Sequence, residues 1–421
     1  MKAEIIAVGS ELLTPDRVDT NSLFLTSELN KLGIEVTRKG VVRDSRADIR
    51  DAFSQALARA DVIVATGGLG PTEDDLTREA VAELLGRKLE LNPEVLRTIQ
   101  ERFRSIGRQM AETNVRQAMV PEGGQVLENK RGSAPGLWLE SDGRVIILLP
   151  GPPKEMETMF ARQVIERLGK RASDKRLIAR ELHATGIPES DLDERISPIY
   201  SKYADVQTTI LAAPGEIQIH LRTWSDDARA SEKLLDEIVE RITIALGENL
   251  FSTKAESLEE VVANVLIQNK ATISTAESCT GGLLAERLTR TPGSSAYFLG
   301  GVVSYSNELK SSWVDVPAEM IQAHGAVSAE VAVALADGIR RRTGGTLGVG
   351  ITGVAGPSGG TPEKPVGLVH IALADGGAPR EHGIRFPGDR ERVRWQASQT
   401  ALDMVRRYYL YASGKRGGAK G

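Results

Sequence analysis

The chain has 421 residues, too many for one ordinary hydrophobic core, so two or three domains are expected. Its formal net charge of −4 and pI near 5.9 argue against a general nucleic-acid binder, whose affinity comes largely from neutralising phosphates. One cysteine fits a reducing cytoplasm, no apolar run reaches membrane-spanning length, and the scattered histidines lack zinc-ligand spacing. We therefore expect a cytoplasmic protein that binds neither membrane nor nucleic acid directly.

The first part of the chain alternates strands and helices. Buried strands are predicted over residues 3–9, 36–42 and 61–68, and helical apolar spacing covers 21–33 and 49–60. This rhythm is typical of an α/β fold with a mostly parallel sheet and helices on both faces. Ligands of such sheets bind beyond the carboxyl ends of the strands.

A glycine-rich turn follows the third predicted strand. Three glycines leave backbone amides free to approach phosphate oxygens: Gly67, Gly68 and Gly70. Asp74 and Asp75 could hold a hard divalent cation beside them. The alternative is an ordinary tight turn in which Asp75 caps the next helix. A later strand-to-helix junction carries Gly151 and Lys154, which could receive a second phosphate.

Five motifs in this segment resemble the N-terminal domain of the CinA (competence/damage-inducible protein A) family: GSELL, TGGLGPTEDD, NVRQA, NKRGSAPG and LLPGPPKEM. The resemblance implies a MoaB/MogA-like, molybdopterin-binding fold over residues 1–172, with metal-dependent ADP-ribose pyrophosphatase activity. It implies nucleotide contacts from these residues: Glu11, Gly67, Gly68, Gly70, Gly151 and Lys154. A divalent metal (Mg, Mn or Co) would bind Asp74 and Asp75. Because proteins with this fold also bind molybdopterin, a binding protein without turnover stays open.

Residues 173–252 are predicted to form a small α+β domain. It would contain a strand, a short helix over 191–196, a hairpin closed around Pro214-Gly215 and an amphipathic helix over 227–246. This order is typical of KH-like modules, but the segment has no G-x-x-G clamp loop and no basic stripe. The stretch HATGIPESDLDERI also resembles the CinA middle region. We expect a spacer or dimer element rather than an RNA-binding module.

Side chains that could take part in catalysis are most concentrated in the stretch from Thr272 to Lys310. A predicted strand runs into a turn whose amides would face a ligand and hold an anion or an oxyanion: Ser278, Cys279, Thr280 and Gly281. Ser295 comes before a second strand, which ends near Tyr305. Lys310 follows in the first turn of a helix, where the positive end of the helix dipole would lower its proton affinity.

These residue types predict a Ser–Lys hydrolase in which Ser295 is the nucleophile, Lys310 is its base and Tyr305 relays or holds the proton. The alternative is a serine-rich loop with a solvated lysine. Cys279 is a rival nucleophile, since a thiol at a helix start can have a lowered pKa, although a lone cysteine more often packs. Ser278 is a second hydroxyl candidate that could instead position substrate.

Six motifs in order resemble the C-terminal domain of the CinA family, known as nicotinamide-nucleotide amidase: TISTAESCTGG, GSSAYFLGGVVSYSNELK, HGAVS, ITGVAGPSGG, EKPVG and FPGDR. The resemblance implies that an α/β domain over residues 253–413 converts nicotinamide mononucleotide (NMN) to nicotinate mononucleotide and ammonia, without a cofactor. It implies phosphate contacts from four residues: Gly353, Ala355, Gly356 and Arg390. A homodimer is implied by analogy, and residues 414–421 are predicted to be a disordered tail. A competence-related partner protein that acts through its surface stays open.

Overall fold

The computed structural model describes residues 1–172 and 175–417, with side chains described up to residue 411. These residues form two compact units, residues 1–178 with 224–229 and residues 179–223 with 230 onward. The predicted boundary at residue 173 and residues 418–421 of the predicted tail lie outside the described residues. The last helix runs to Gly417, so the first residues of that tail have a helical backbone instead of the predicted disorder.

The first unit is built on a six-stranded sheet in the order β2-β1-β3-β8-β7-β6. Its strands are β1 (Lys2–Val8), β2 (Glu35–Val42), β3 (Val62–Thr66), β6 (Gln125–Leu127), β7 (Gly136–Ser141) and β8 (Arg144–Leu149). The strands β2, β1, β3 and β8 are parallel, as predicted, and β7 and β6 continue the sheet antiparallel. Two short strands that the sequence analysis did not predict, β4 (Leu89–Leu91) and β5 (Met119–Pro121), form a separate pair.

Helices cover both faces of this sheet. They are α1 (Thr20–Lys31), α2 (Arg46–Leu57), α3 (Thr77–Leu84), α4 (Pro93–Ser105), α5 (Pro153–Met159) and α6 (Ile165–Gly169), with a π-helical turn, Phe160–Val164, between the last two. Successive side chains of a strand point to opposite faces. Ile5 of β1 therefore packs in one cluster with α1 and α5, whereas Ile6 packs in another with α2 and α3.

The second unit begins with a four-stranded sheet in the order β10-β11-β9-β12. Its elements are β9 (Arg176–Ala184), α7 (Glu189–Tyr200), β10 (Gln207–Ala213), β11 (Glu216–Ser225), α8 (Ala228–Leu246) and β12 (Leu250–Ser252). The predicted hairpin turns at Pro214-Gly215 between β10 and β11.

A five-stranded sheet in the order β14-β13-β15-β16-β17 forms the rest of the second unit. Its strands are β13 (Ile273–Glu277), β14 (Phe298–Val303), β15 (Leu347–Gly353), β16 (Leu368–Ala374) and β17 (Arg380–Arg385). The first three in this spatial order are parallel, and β16 and β17 are antiparallel. The carboxyl ends of β14, β13 and β15 therefore open at one edge of the sheet.

Six helices pack around this sheet: α9 (Leu258–Gln268), α10 (Leu283–Thr289), α11 (Asn307–Val314), α12 (Ala318–His324), α13 (Ala329–Thr343) and α14 (Arg390–Gly417). Buried side chains of α9, α10 and α14 share one cluster with the sheet, and α13 packs on β15. The backbone of α13 comes very close to β15. The close approach requires glycine at position 350, where a Cβ would overlap the Ala332 carbonyl oxygen.

Candidate active site

Three parallel strands of the second unit end at one sheet edge and bring a serine and a lysine together there. Ser278 directly follows β13 and Ser304 directly follows β14. The helix α11 then returns Lys310 to the same edge. Its Nζ lies 3.4 Å from Ser278 Oγ and 3.0 Å from each of the carbonyl oxygens of Ser304 and Tyr305.

Lys310 is held in a buried position that makes its ammonium form less favourable than in water. Its side chain is only 2% exposed, and burial lowers its pKa, against smaller opposing effects of Cys279 and Glu308. The two carbonyl oxygens accept hydrogen bonds from the amine, which leaves Nζ one further position that faces the Ser278 hydroxyl. The predicted direction of the pKa shift agrees with the structure, but burial, rather than the helix dipole, is the largest cause.

The structure does not bring Ser295 to Lys310, so the predicted pairing of these two residues is wrong. Ser295 is exposed in a short 3-10 helix, Ser294–Ala296, that precedes the amino end of β14. Lys310 lies beyond the carboxyl end of the same strand. The six residues of β14 separate these ends by roughly 20 Å. The serine beside the lysine is Ser278.

The turn after Ser278 has less free anion-binding capacity than its sequence suggests. The Glu277 carboxylate, 1% exposed, accepts hydrogen bonds from the amides of Gly282, Leu284 and Ala285 at 2.8–3.1 Å. The start of α10 is therefore filled by a carboxylate of the chain itself. Of the predicted oxyanion donors, the Ser278 amide pairs with a strand carbonyl and the Gly281 amide with the Ser278 carbonyl.

Two amides and two hydroxyls near the pair have no oxygen partner among the described residues. The amides of Cys279 and Thr280 donate to no oxygen there, although both interact with the Cys279 sulfur. Thr280 Oγ1 and Ser304 Oγ are buried and have no hydrogen-bond partner among the described residues. Because buried polar groups are normally satisfied, these orphaned groups indicate a place for a polar ligand.

Cys279 is not a reactive thiol in this structure. It packs in the hydrophobic cluster of the sheet, and burial raises its pKa to about 12. The thiolate, which is the nucleophilic form, is therefore almost absent at neutral pH.

Tyr305 and Arg390 meet at the surface of the site. Tyr305 is 57% exposed, and its hydroxyl accepts a hydrogen bond from Arg390 Nη2 at 3.2 Å. Arg390 Nη1 donates to the Gly356 carbonyl oxygen at 3.0 Å, and its charge slightly opposes the raised pKa of Cys279. Tyr305 contacts Lys310 through its backbone carbonyl, so the structure does not place its hydroxyl on the predicted proton path.

The predicted phosphate loop is only partly available to a ligand. Gly353 closes β15 and pairs with Val369, and a side chain there would crowd the Leu368 carbonyl oxygen. Ala355 is buried in the hydrophobic cluster. The structure therefore gives Gly353 and Ala355 packing roles and leaves Gly356, beside Arg390, at the site.

Sequence reasoning missed Glu277 and Arg394. Arg394 donates through Nε and Nη2 to the Thr280 carbonyl oxygen at 3.1 and 2.8 Å, so α14 fixes the serine turn. The signal for Arg394 was its position four residues after Arg390 at a helix start, which places both on one helical face. The signal for Glu277 was an acidic residue at the end of a buried strand, directly before the turn.

The predicted nucleotide site of the first unit is a separate cleft of about 360 Å³. Most of the predicted residues line it: Glu11, Gly67, Gly68, Gly70, Asp74, Asp75 and Gly151. Lys154 is exposed in the first turn of α5 and does not line the cleft, whereas its neighbour Glu155 does. Asp44, Gln117 and Ser133 also line it, and the sequence analysis did not predict them.

Two glycines of this cleft are fixed by close packing. Gly67 and Gly68 have φ angles of 105° and 66°, in the left-handed region that favours glycine. A Cβ at Gly67 would overlap the Val8 carbonyl oxygen, and one at Gly68 would overlap Thr77 Oγ1. Asp75 does not cap α3, since Leu76 precedes that helix. Its carboxylate instead accepts the Thr72 amide at 2.9 Å within the turn.

The cleft has no preformed multi-ligand metal site. In the described ranges, no three or more His, Cys, Asp or Glu side chains come together in a way that could hold a metal ion. Magnesium, however, commonly binds through one or two carboxylates, retained waters and the phosphates of its nucleotide. The adjacent carboxylates of Asp74 and Asp75 fit this second mode.

No helix within the described ranges combines the length and apolar character needed to cross a bilayer.

Comparisons with known proteins match most of the length of the chain. Three family models match: a probable molybdopterin binding domain over residues 4–170, a damage-inducible protein CinA KH domain over 179–252, and a CinA C-terminal domain over 255–409. A CinA-like protein of Koribacter versatilis is 51% identical over 411 residues, which cover 97% of this chain and 99% of that protein. A putative competence-damage inducible protein of Symbiobacterium thermophilum is 44% identical, with coverage of 97% and 99%. The solved structure of a CinA protein of unknown function from Thermoplasma acidophilum matches with 36% identity and a TM-score of 0.37, covering 39% of this chain and 96% of that one.

Proposed function

Because the chain belongs to the CinA family, we propose that its C-terminal domain is a nicotinamide-nucleotide amidase that converts NMN to nicotinate mononucleotide and ammonia. The observation that carries the proposal is the contact between the buried Lys310 amine and the Ser278 hydroxyl. This pair supports amide hydrolysis through a serine nucleophile, and the family resemblance of the domain suggests the substrate.

In the first half of the reaction, Ser278 Oγ attacks the carboxamide carbon while the Lys310 amine takes the hydroxyl proton. The resulting Lys310 ammonium gives that proton to the leaving nitrogen, so ammonia departs and an acyl-serine ester remains. In the second half, Lys310 removes a proton from water, which attacks the ester carbon, and Lys310 then returns that proton to Ser278 Oγ as the ester bond breaks. The product acid leaves and loses its carboxyl proton to solvent, so Lys310 is the one protein group that moves protons in this scheme.

The surrounding polar groups would serve the charged parts of the substrate. The amides of Cys279 and Thr280, together with the orphaned Thr280 hydroxyl, are candidates to stabilise the oxyanion. Arg390, which is exposed beside Gly356, is the candidate for the 5′-phosphate. Tyr305 would position Arg390 rather than relay a proton.

An ammonia-release assay on the full chain with NMN tests the proposal through two matched serine variants. Ser278→Ala should abolish ammonia release, because the nucleophile is lost. Ser295→Ala, at the opposite end of β14, should retain it. Retained activity in Ser278→Ala, or lost activity in a folded Ser295→Ala, would overturn the assignment.

For the first unit, we propose ADP-ribose pyrophosphatase activity that depends on a divalent cation. The supporting observation is a cleft that joins a glycine turn, suited to phosphates, to the carboxylates of Asp74 and Asp75. A bound cation would polarise the pyrophosphate bond and lower the pKa of a bound water. Gly67 and Gly68 would let the backbone approach the phosphates closely.

Cleavage of ADP-ribose with Mg²⁺, Mn²⁺ or Co²⁺, compared with Asp74→Asn, tests this second activity. The variant should lose metal-stimulated cleavage and keep ammonia release. A copurified molybdopterin or nucleotide without any cleavage would favour the alternative of a binding protein. An unchanged competence phenotype after both sites are disabled would favour a partner protein that acts through its surface.

From the family resemblance, we further propose a cytoplasmic homodimer, with the middle domain as a spacer or dimer element. Light scattering on the purified chain would measure the mass directly.

A further inference from the structure

The turn that follows β3 is held through its carbonyl oxygens. Those of Gly67 and Gly68 accept hydrogen bonds from Thr77 at the start of α3, the first from its hydroxyl at 2.9 Å and the second from its amide at 3.1 Å. The Leu69 carbonyl oxygen accepts from Arg78 Nη2 at 2.9 Å. Neither Thr77 nor Arg78 lines the cleft that this turn forms, so successive peptide units are held from outside the cleft.

The amides of the same peptide units point the other way. The C=O and N–H groups of a trans peptide point in opposite directions, and the peptide bonds of this turn are trans. The amides of Gly68, Leu69 and Gly70 therefore face away from α3, and all three residues line the cleft. They donate to no oxygen within the described ranges. Successive free amides of this kind form a concave site for an anion.

Arg78 ties the turn to a second segment. Its side chain is 1% exposed, and its Nη1 donates to the Arg116 carbonyl oxygen at 2.8 Å. Arg116 lies in a 3-10 helix, Glu112–Ala118. A buried charge is costly unless its donors are paired, and the planar fork of arginine can reach two separate segments. Arg78 therefore suits a link between the turn and this helix.

The side chain of Arg116 holds the far part of the turn. Its Nη1 donates to the Thr72 carbonyl oxygen and its Nη2 to the Asp75 carbonyl oxygen at 3.3 Å. The same Nη2 donates to Glu79 Oε1 at 3.0 Å, which balances one positive charge. Arg116 belongs to the NVRQA motif, to which the proposed reaction gives no role.

We propose that Thr77, Arg78 and Arg116, which we call the turn clamp, are positioning residues for phosphate binding. They draw the carbonyl oxygens of the turn to one side and thereby direct the amides of residues 68–70 at a phosphate group of the ligand. They contact the turn and not the ligand. The inference rests on the proposed nucleotide function of the first unit and identifies the side chains that set its affinity for phosphate.

The test measures calorimetric binding of inorganic pyrophosphate to the full chain. Arg116 is partly exposed, and Arg116→Lys keeps the positive charge but removes the fork that holds two carbonyl oxygens. Pyrophosphate should bind about tenfold more weakly, because the amides of the turn are no longer aimed at it. The salt dependence of binding should not change, because the number of charges is the same.

Arg50→Lys is the matched control, because Arg50 forms an exposed ion pair with Glu83 of α3 outside the cleft. It should bind pyrophosphate as the wild type does. A merely structural role of Arg116 would give a different result from the one we expect. Arg116→Lys would then unfold at a lower temperature, while the folded variant kept the wild-type affinity for pyrophosphate.

A second pair of variants tests the other end of the clamp and guards against a folding defect in the first. Thr77→Val fills the same space without a hydroxyl, so the Gly67 carbonyl oxygen loses its donor and pyrophosphate binding should fall severalfold. Thr77→Ser restores the hydroxyl and should bind within about twofold of the wild type. Wild-type affinity in Arg116→Lys or in folded Thr77→Val would overturn the inference. So would a wild type that does not bind pyrophosphate.

The two proposals for this unit can fail separately. If the wild type cleaves ADP-ribose with no metal but its pyrophosphate binding is weakened by Arg116→Lys and by Thr77→Val, the pyrophosphatase proposal fails and the turn clamp stands. If ADP-ribose is cleaved at the same KM by the wild type and both variants, the activity stands and the turn clamp is wrong.

Discussion

The two glycine-rich turns of this protein each follow a strand whose two neighbours are parallel to it, yet they differ in what occupies them. In the first unit, the turn that begins at Gly67 opens into a cleft that the carboxylates of Asp74 and Asp75 also line. In the second unit, the turn that begins at Ser278 is filled by the chain's own Glu277 carboxylate. A glycine-rich turn thus lines an open cleft in one place and is filled by a carboxylate of the chain in the other.

The variant with the largest expected effect tests whether the proposed reaction at Ser278 depends on Lys310. Lys310→Met should lower ammonia release from NMN by about 10³-fold, because general-base assistance to Ser278 is lost. Cleavage of ADP-ribose should not change. Lys270→Met, at an exposed position of the same unit, is the control and should behave as the wild type. Ammonia release by Lys310→Met at near the wild-type rate would show that another group activates the serine.

A second variant removes the group that fills the turn. Glu277→Gln should lower the free energy of unfolding by about 2 kcal/mol, since three backbone amides lose a charged acceptor in a buried place. Glu286→Gln is the control, because the Glu286 carboxylate forms an exposed ion pair with Arg290 and its replacement should cost little. Denaturant unfolding measures both. If the two variants unfold at the same midpoint, the carboxylate does not support the turn.

The pH dependence of the second site should report the buried lysine. Burial places the pKa of Lys310 below its ordinary value of 10.5. The rate constant kcat/KM for NMN should rise about tenfold per pH unit below that lowered pKa and level off above it, because only the neutral amine accepts a proton. The unfolded chain binds the proton more tightly, so the contribution of Lys310 to the free energy of unfolding should also rise with pH between the two pKa values. A rate that is flat across this range would contradict the assignment.

The smallest expected effect concerns Cys279. Cys279→Ala should leave ammonia release within about threefold of the wild type, because a thiol with a pKa of about 12 contributes packing and little nucleophile. Folding can be checked by circular dichroism. A folded variant without activity would make Cys279 a candidate nucleophile again.

Much of the fold could be predicted from the sequence. Family membership and the fold classes, with a MoaB/MogA-like first domain and a KH-like middle domain, are confirmed by the matching family models. The parallel strands were predictable because β-branched runs alternate with helical apolar spacing. The helix α4 was missed, although Asn92 and Pro93 form a strong start signal and Asn92 does cap the helix.

The active-site geometry was less accessible to sequence reasoning. Ser295 and Lys310 are near in sequence, but the strand β14 lies between them. They are therefore found beyond opposite ends of that strand. Ser278 reaches Lys310 because β13 and β14 are parallel neighbours, a pairing that spacing alone does not specify. The burial of Glu277 could not be predicted either, since an acidic residue at the end of a strand can equally be exposed to solvent.

The way Lys310 is held limits what must be preserved around it. Two main-chain oxygens, those of residues 304 and 305, fix its amine. Any residue can supply a main-chain oxygen, so the anchoring of the amine depends on the local chain path and not on the side chains at these two positions. Those side chains are constrained for a different reason, since the Ser304 hydroxyl is one of the orphaned groups at the site and the Tyr305 hydroxyl accepts a hydrogen bond from Arg390.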